Sequence, residues 1–109
     1  MKLIIAIVQS EDAEQVAKTL LAKGFEATKI STMGGFLRRE NVTILTAVED
    51  AQVEEALSLI RDNCQRRTKY VHPLVPLVGT HEPYVVAPVP VEVGGATVLV
   101  VNLERFEKL

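Results

Sequence analysis

The stretch LIIAIV at residues 3–8, followed directly by QSEDAEQVAKTLLAKG at residues 9–24, decides the fold. The first six residues are continuously apolar and mostly β-branched, which is typical of a strand covered on both faces. In the next stretch the apolar residues recur at helical spacing. Ser10 is the predicted N-cap, and Gly24 suits the left-handed position that ends a helix. The sequence therefore opens with a strand and a helix.

The same pattern returns further along the chain. Residues 25–31 predict a second strand, Gly34 and Gly35 a turn, and residues 41–48 a third strand. Asp50 is the predicted N-cap of a second helix, because apolar residues again recur at helical spacing. This stripe consists of Val53, Ala56, Leu57, Ile60 and Cys64. The first strand–helix unit is thus repeated.

The last part of the chain has less regular patterning. Residues 65–88 hold most of the prolines and both histidines, which predicts a long irregular loop. Residues 88–101 are rich in valine and predict a final strand. Gly94 and Gly95 interrupt it, where we expect a bulge or a close backbone approach.

The order of elements is β-α-β, turn, β-α-β, within one predicted domain spanning residues 1–109. This order predicts an α+β, ferredoxin-like protomer with a four-stranded antiparallel sheet and two helices on one face. Two helices cover only one side of the sheet. Leu3, Ile5 and Ile7 lie on one side of the first strand, and Ile4, Ala6 and Val8 lie on the other. One of these two sets would then face water at roughly 1.5 to 3 kcal/mol for each side chain. We therefore expect another subunit on this open face, the alternative being that the long loop folds over it.

Composition excludes several classes of protein. The 109 residues are 48% hydrophobic with a net charge of −2, which excludes a disordered chain. Twelve basic against fourteen acidic residues do not supply the basic excess of a DNA- or RNA-binding protein or an anionic-membrane binder. One cysteine, Cys64, forms no internal disulfide, and no apolar run approaches the roughly 20 residues that span a bilayer. We expect a cytoplasmic protein.

The segment 28–41, TKISTMGGFLRREN, combines the residue types that a nucleotide site needs. Gly34 and Gly35 let backbone N–H groups approach an oxyanion, Thr28 offers a hydroxyl, and Phe36 could stack on a base. A solvated hairpin with glycines at its turn is the alternative. The segment has neither the Walker nor the Rossmann glycine pattern, so nucleotide hydrolysis is unsupported.

No catalytic or metal-binding constellation stands out. His72 and His81 lie nine residues apart without a third ligand in a regular element, and Cys64 fits a small buried residue of the second helix. No paired carboxylates and no serine, histidine and aspartate arrangement are evident. The sequence therefore predicts a protein that is not an enzyme and has no cofactor.

Four motifs are distributed along the whole chain, namely MKLIIAIVQ at 1–9, ATK at 27–29, GGFLR at 34–38 with Asn41, and VGGATV at 93–98. In these motifs and their order the chain resembles the PII-like cyclic di-AMP receptors (PstA-like). The resemblance implies a homotrimer of ferredoxin-like protomers that binds cyclic di-AMP in clefts between neighbouring subunits. It also implies a short T-loop at 32–40 and a long B-loop region within 65–88, whose movement would signal to an unidentified protein partner.

The resemblance also implies which residues meet the ligand. Thr28 corresponds to a residue whose hydroxyl contacts the ligand. Asn41 corresponds to a polar residue that recognises the adenine base. The remaining implied positions are Ala27, Gly35, Phe36, Leu37 and Ala47. Lys108 or Arg39 is a further candidate on charge, because either cation could pair with a carboxylate at position 26 or contact a phosphate in its place. The chain departs from the family pattern at Gly24, where asparagine is frequent, at Ala47, where glycine is frequent, and at Glu26, where arginine is common.

Two hypotheses follow. In the first, the chain is a receptor for cyclic di-AMP or a related adenine nucleotide. In the second, Glu26 has abolished ligand binding, and the trimer is a protein-interaction module. The charge at position 26 separates them, because a carboxylate repels the phosphates that an arginine would attract.

Overall fold

The computed structural model describes residues 1–32, 41–71 and 87–109, which form an α+β fold. The elements are β1 (Lys2–Gln9), α1 (Ser10–Ala22), β2 (Thr28–Thr32), β3 (Asn41–Val48), α2 (Val53–Asn63), β4 (Arg67–Val71), β5 (Val89–Val93) and β6 (Ala96–Asn102). Four strands form one sheet in the order β2-β3-β1-β6, with every neighbouring pair antiparallel. This confirms the predicted ferredoxin-like order.

The core lies between this sheet and the two helices. Alternate residues of β1, namely Ile4, Ala6 and Val8, are fully buried beneath the helices. Leu20 of α1 and Ile60 of α2 complete the same cluster. The period-two alternation in β1 and the helical spacing in α1 and α2 thus converge on one apolar layer.

The other face of the sheet carries apolar side chains with no covering layer among the described residues. Ladder register places Ile5 of β1 between Leu45 of β3 and Leu99 of β6. Leu99 is 50% exposed, and Val101 on the same strand is 43% exposed. An apolar surface of this kind is typical of an interface.

Both helix starts differ from the prediction. Gln9, not Ser10, occupies the N-cap of α1. The predicted cap Asp50 lies inside a single turn of 3-10 helix (Asp50–Gln52) that Glu49 caps, with the Glu49 backbone N–H donating to the Gln52 side chain at 3.1 Å. Spacing alone did not reveal this extra turn, because it needs only three residues.

Two predictions for the last third of the chain are wrong. The irregular loop expected from residue 65 contains β4, which pairs with β5 as a two-stranded ribbon. The single final strand is instead two strands in two different sheets, separated at Gly94 and Gly95. The ribbon was missed because β4 is exposed along its whole length and carries no apolar periodicity.

Gly94 confirms the expected close backbone approach. Its φ is +89°, and a Cβ placed there would lie 2.2 Å from the Gln65 carbonyl oxygen. Gly24, which ends α1, has a similar φ of +87° but open space around it.

The two glycines give a matched test. Gly24→Ala should lower stability by about 1 kcal/mol, since only the left-handed backbone is strained. Gly94→Ala adds a clash with backbone and should cost roughly 2–4 kcal/mol. Urea denaturation of both variants measures the difference, and equal losses would contradict the close approach.

An ion pair anchors the ribbon to the first helix. The Arg67 guanidinium donates to both Asp12 carboxylate oxygens, at 2.9 and 3.4 Å. The Asp12 side chain is only 7% exposed, and it holds the pKa of Arg67 above its usual value. Lys69 of the same strand reaches Glu11 at 3.4 Å in a more exposed pair.

Arg67→Ala should therefore destabilise the ribbon more than Lys69→Ala does. Removing Arg67 leaves a buried carboxylate without its partner, at a cost of about 1.5–3 kcal/mol. The exposed Lys69 pair is worth at most about 1 kcal/mol. Amide hydrogen exchange in β4 and β5 reports the effect directly. Similar exchange in the two variants would mean that Asp12 does not anchor the ribbon.

Candidate functional site

A cleft of about 390 Å³ lies at the end of the sheet where α1 turns into β2. We call it the Thr28 cleft. Its lining includes three residues that the sequence analysis selected, Glu26, Thr28 and Ala47. The floor is apolar, formed by Leu3, Phe25, Leu45, Leu103 and Phe106. Polar groups therefore surround an apolar base, as small-molecule sites generally require.

The end of α1 positions the first of these residues. The Gly24 N–H donates to the Leu21 carbonyl at 3.0 Å and the Phe25 N–H to the Leu20 carbonyl at 2.9 Å, which closes the helix. The Phe25 ring is 4% exposed and anchors the turn in the core. Glu26 and Thr28 follow this turn directly in the sequence, and both line the cleft. Phe25 belongs to the turn that closes α1 and packs in the core. For this reason β2 begins at Thr28 and not at the predicted residue 25.

Sheet register places Thr28 and Ala47 together. Thr28 pairs with Leu45 and Ala47 pairs with Leu3, so all four side chains lie on the open face. The Thr28 side chain is exposed and its hydroxyl can donate or accept. The methyl group of Ala47 leaves room beside it. Ala27 differs, because it packs against the core cluster.

Glu26 and Lys108 form an ion pair at the cleft, between the Lys108 Nζ and the Glu26 Oε1. Both side chains remain largely in solvent, with exposed fractions of 62% and 66%. A pair this exposed contributes little to stability, so either partner can be drawn to a ligand. The contact neutralises the carboxylate where the family commonly has an arginine.

Several lining residues were not predicted from sequence, and Gln52 and Phe106 are the two whose side chains could contact a nucleotide. Gln52 comes from the extra 3-10 turn, and Phe106 follows the last strand with 49% of its surface exposed. The Leu103 N–H donates to the Met1 carbonyl at 3.2 Å, which directs this final segment along the cleft. An aromatic residue directly after an apolar strand was the available signal for Phe106.

Asn41 lies at the opposite end of the sheet. It pairs with Gln9 in the ladder and lines a separate recess of about 180 Å³ with Arg66 and Gly94. The Gly94 N–H donates to the Gln9 side chain at 2.8 Å. Asn41 and Ala47 are six residues apart on one strand, or roughly 20 Å. Within one protomer the predicted ligand residues thus form two separate groups.

Other selected residues lie outside the described ranges. Gly35, Phe36 and Leu37 belong to the predicted T-loop, of which the structure describes only Thr32, and His72 and His81 belong to the predicted B-loop region. Cys64 is buried, its thiol donates to the Ile60 carbonyl at 2.7 Å, and burial raises its pKa. It therefore behaves as the small core residue expected from the helix pattern.

The described residues also bear on metal binding and on membrane insertion. Within residues 1–32, 41–71 and 87–109, no three histidine, cysteine or acidic side chains are grouped so that they could hold a metal ion. In the same ranges, no helix is long and apolar enough to cross a membrane.

Comparison with known proteins identifies the family. The family model described as cyclic-di-AMP receptor matches residues 1–109. A crystal structure of a functionally unknown protein from Pediococcus pentosaceus ATCC 25745 is 36% identical, with a TM-score of 0.75 over 99% of this chain and 96% of that one. The match over the full length agrees with the fold. The chain belongs to the cyclic-di-AMP receptor family.

Proposed function

We propose that this chain is a non-enzymatic, PII-like signal-transduction protein of the cytoplasm that binds cyclic di-AMP or a related adenine nucleotide. It assembles as a homotrimer and holds the ligand in clefts between neighbouring subunits. Ligand binding moves the T-loop and the B-loop region, and this movement changes contacts with a protein partner.

The separation of the two groups of ligand residues carries this proposal. Glu26, Thr28 and Ala47 lie at one end of the sheet, and Asn41 lies roughly 20 Å away at the other. One bound molecule meets both groups most simply when they come from two copies of the chain. The uncovered apolar face supports the same assembly, because burying it requires a second copy.

The chemistry of the Thr28 cleft suits recognition more than catalysis. The Thr28 hydroxyl, the Gln52 amide and the Lys108 ammonium can form hydrogen bonds with phosphate oxygens and base edges. The apolar floor and the Phe106 ring provide surface for an adenine to cover. Such a site binds a nucleotide and releases it unchanged.

The connections around Asn41 support signalling through the loops. Asn41 begins β3 directly after the predicted T-loop, and its ladder partner Gln9 accepts from Gly94 at the base of the ribbon. A ligand that shifts Asn41 would therefore shift Gln9 and the ribbon with it. The B-loop region continues from β4 of this ribbon.

The alternative function is a PII-like trimer that has lost cyclic di-AMP binding and acts as a protein-interaction module. One observation favours it, namely the Glu26 carboxylate in the cleft. In this case Lys108 serves only to neutralise Glu26, and the protein contacts its partner constitutively.

Calorimetric titration tests the proposal, with cyclic di-AMP compared against ATP and cyclic di-GMP. We expect heat and saturation with cyclic di-AMP and weaker or no binding of cyclic di-GMP. A parallel melting experiment should show stabilisation by about 2.7 kcal/mol at a ligand concentration 100 times the dissociation constant. Absence of binding by all three nucleotides would support the interaction module instead.

A further inference from the structure

A second and larger cavity, of about 570 Å³, lies between α2 and β6, away from the Thr28 cleft. We call it the α2–β6 groove. Leu57 and Ile60 line it from the helix, and Val98 and Val100 line it from the strand. Val100 is 41% exposed, whereas its ladder neighbour Ile4 on β1 is fully buried. The helices therefore cover β1 and leave the inner side of β6 open.

Two arginines border this apolar groove. Arg61 and Arg66 both line it, and no acidic residue does. Of the four arginines in the described ranges, Arg67 and Arg105 each hold a carboxylate. Arg61 and Arg66 have no ion-pair partner within those ranges. The groove is therefore complementary to a segment that carries both apolar and acidic side chains. Its apolar walls would pack against the apolar side chains, and the two guanidinium groups would pair with a carboxylate.

The groove runs beside an unprotected strand edge. β6 is the last strand of the sheet, and the described part of the chain places no strand on its outer side. Its sequence, ATVLVVN, contains neither a charged residue nor a proline. Edges that must stay unpaired usually carry such residues. The backbone N–H and C=O groups of β6 are thus available to an added strand.

Charge argues against either edge of this sheet in a second copy as the added strand. The other edge of the same sheet is β2, whose only charged residue is Lys29, and β6 itself has none. Edge pairing with β2 would bring a lysine towards the two arginines, and pairing with β6 would bring a second pair of arginines. Neither supplies the carboxylate that the groove lacks.

We propose that the α2–β6 groove binds an extended, acidic and apolar segment of a partner protein as an added strand on β6. Backbone hydrogen bonds to β6 give affinity, and alternate side chains enter the groove. Apolar side chains meet Leu57 and Val100, and a carboxylate meets Arg61 and Arg66. This site is distinct from the Thr28 cleft, although Arg66 also borders the recess at Asn41, and a protein partner goes beyond the proposed nucleotide binding.

The test uses a defined probe, the fluorescein-labelled octapeptide Thr-Val-Thr-Leu-Thr-Glu-Thr-Glu, and its counterpart with lysine at both glutamate positions. We expect the acidic peptide to bind in fluorescence anisotropy at least about tenfold more tightly than the basic one. It should also slow amide exchange in β6. The double variant Arg61→Ala with Arg66→Ala should weaken binding of the acidic peptide about tenfold or more.

The matched control removes two positive charges elsewhere, Lys18→Ala with Lys23→Ala on α1, and should leave peptide binding within about twofold. Equal binding of the two peptides, or acidic-peptide binding that survives the arginine double variant, would overturn the proposal. So would protection of the β6 amides that rises with protein concentration alone, because a second copy would then occupy the edge.

Discussion

Glu26→Arg should strengthen cyclic di-AMP binding by a factor of ten or more, equivalent to about 1.4 kcal/mol. The substitution removes a carboxylate from the Thr28 cleft and places a guanidinium there. At about 4 Å from a phosphate, each change is worth ~1 kcal/mol in water and ~4 kcal/mol at an effective dielectric of 20. It also frees Lys108 from its ion pair. Glu26→Gln should bind with intermediate affinity, and calorimetry measures the series.

The control for this series is Glu55→Arg. Glu55 is an exposed residue of α2 that does not line the Thr28 cleft, and the variant changes the net charge by the same amount. It should leave the affinity within about twofold at physiological salt, because distant charges are screened. If Glu26→Arg has no effect while Thr28→Ala abolishes binding, the side chain at position 26 points away from the ligand. The charge argument is then wrong, and the receptor proposal stands.

Whether Lys108 contributes to cyclic di-AMP binding in the wild-type protein is testable by substitution. If its ammonium transfers from Glu26 to a phosphate, Lys108→Ala should cause a large loss of affinity in the wild type. The loss should be smaller in the Glu26→Arg background, where the new guanidinium supplies the charge. A double-mutant cycle over these two residues measures their coupling. Additive effects would mean that Lys108 acts independently of position 26, and an unchanged affinity in Lys108→Ala would mean that it takes no part in ligand binding.

Ile5→Glu should dissociate the trimer and abolish nucleotide binding with it. Ile5 lies at the centre of the open face, between Leu45 and Leu99. A carboxylate buried there against another subunit costs several kcal/mol. Light scattering should give about three times 12.0 kDa for the wild type and close to 12.0 kDa for the variant. Cyclic di-AMP should no longer bind, because in the proposed assembly the two groups of ligand residues come from different subunits.

Leu21→Glu is the matched control for this experiment. Leu21 lies on α1, is 67% exposed, and faces away from the sheet, so the same kind of substitution should leave the mass unchanged. A wild-type protein that is a stable monomer would remove both the assembly and the intersubunit site. A variant that dissociates and still binds the nucleotide would show that one protomer holds a complete site.

Local patterning was sufficient for the layers of the fold. Alternation in β3 and helical spacing in α1 and α2 predicted which sides of these elements are buried, because burial follows directly from side-chain period. The continuously apolar run of β1 predicted a central strand but not which of its faces the helices cover. Gly24 predicted the end of α1, since its positive φ disfavours other residues. The family resemblance then selected Thr28, Ala47 and Asn41 for the site. The predicted strand 41–48 already placed Asn41 and Ala47 at opposite ends, whereas the position of Thr28 near Ala47 required the sheet register.

Tertiary structure decided what depends on contacts between distant residues. Arg67 meets Asp12 across 55 positions, and Lys108 meets Glu26 across 82. Neither pairing leaves a periodic signal, because long charged side chains at the surface can choose among several partners. The ribbon has the same origin. β4 is defined by hydrogen bonds to β5 and not by an apolar pattern of its own. Sequence thus determined the elements whose stability comes from burying one apolar face. The tertiary structure determined β4, the Arg67–Asp12 ion pair and the Lys108–Glu26 ion pair, because each of these depends on contacts between residues far apart in the chain.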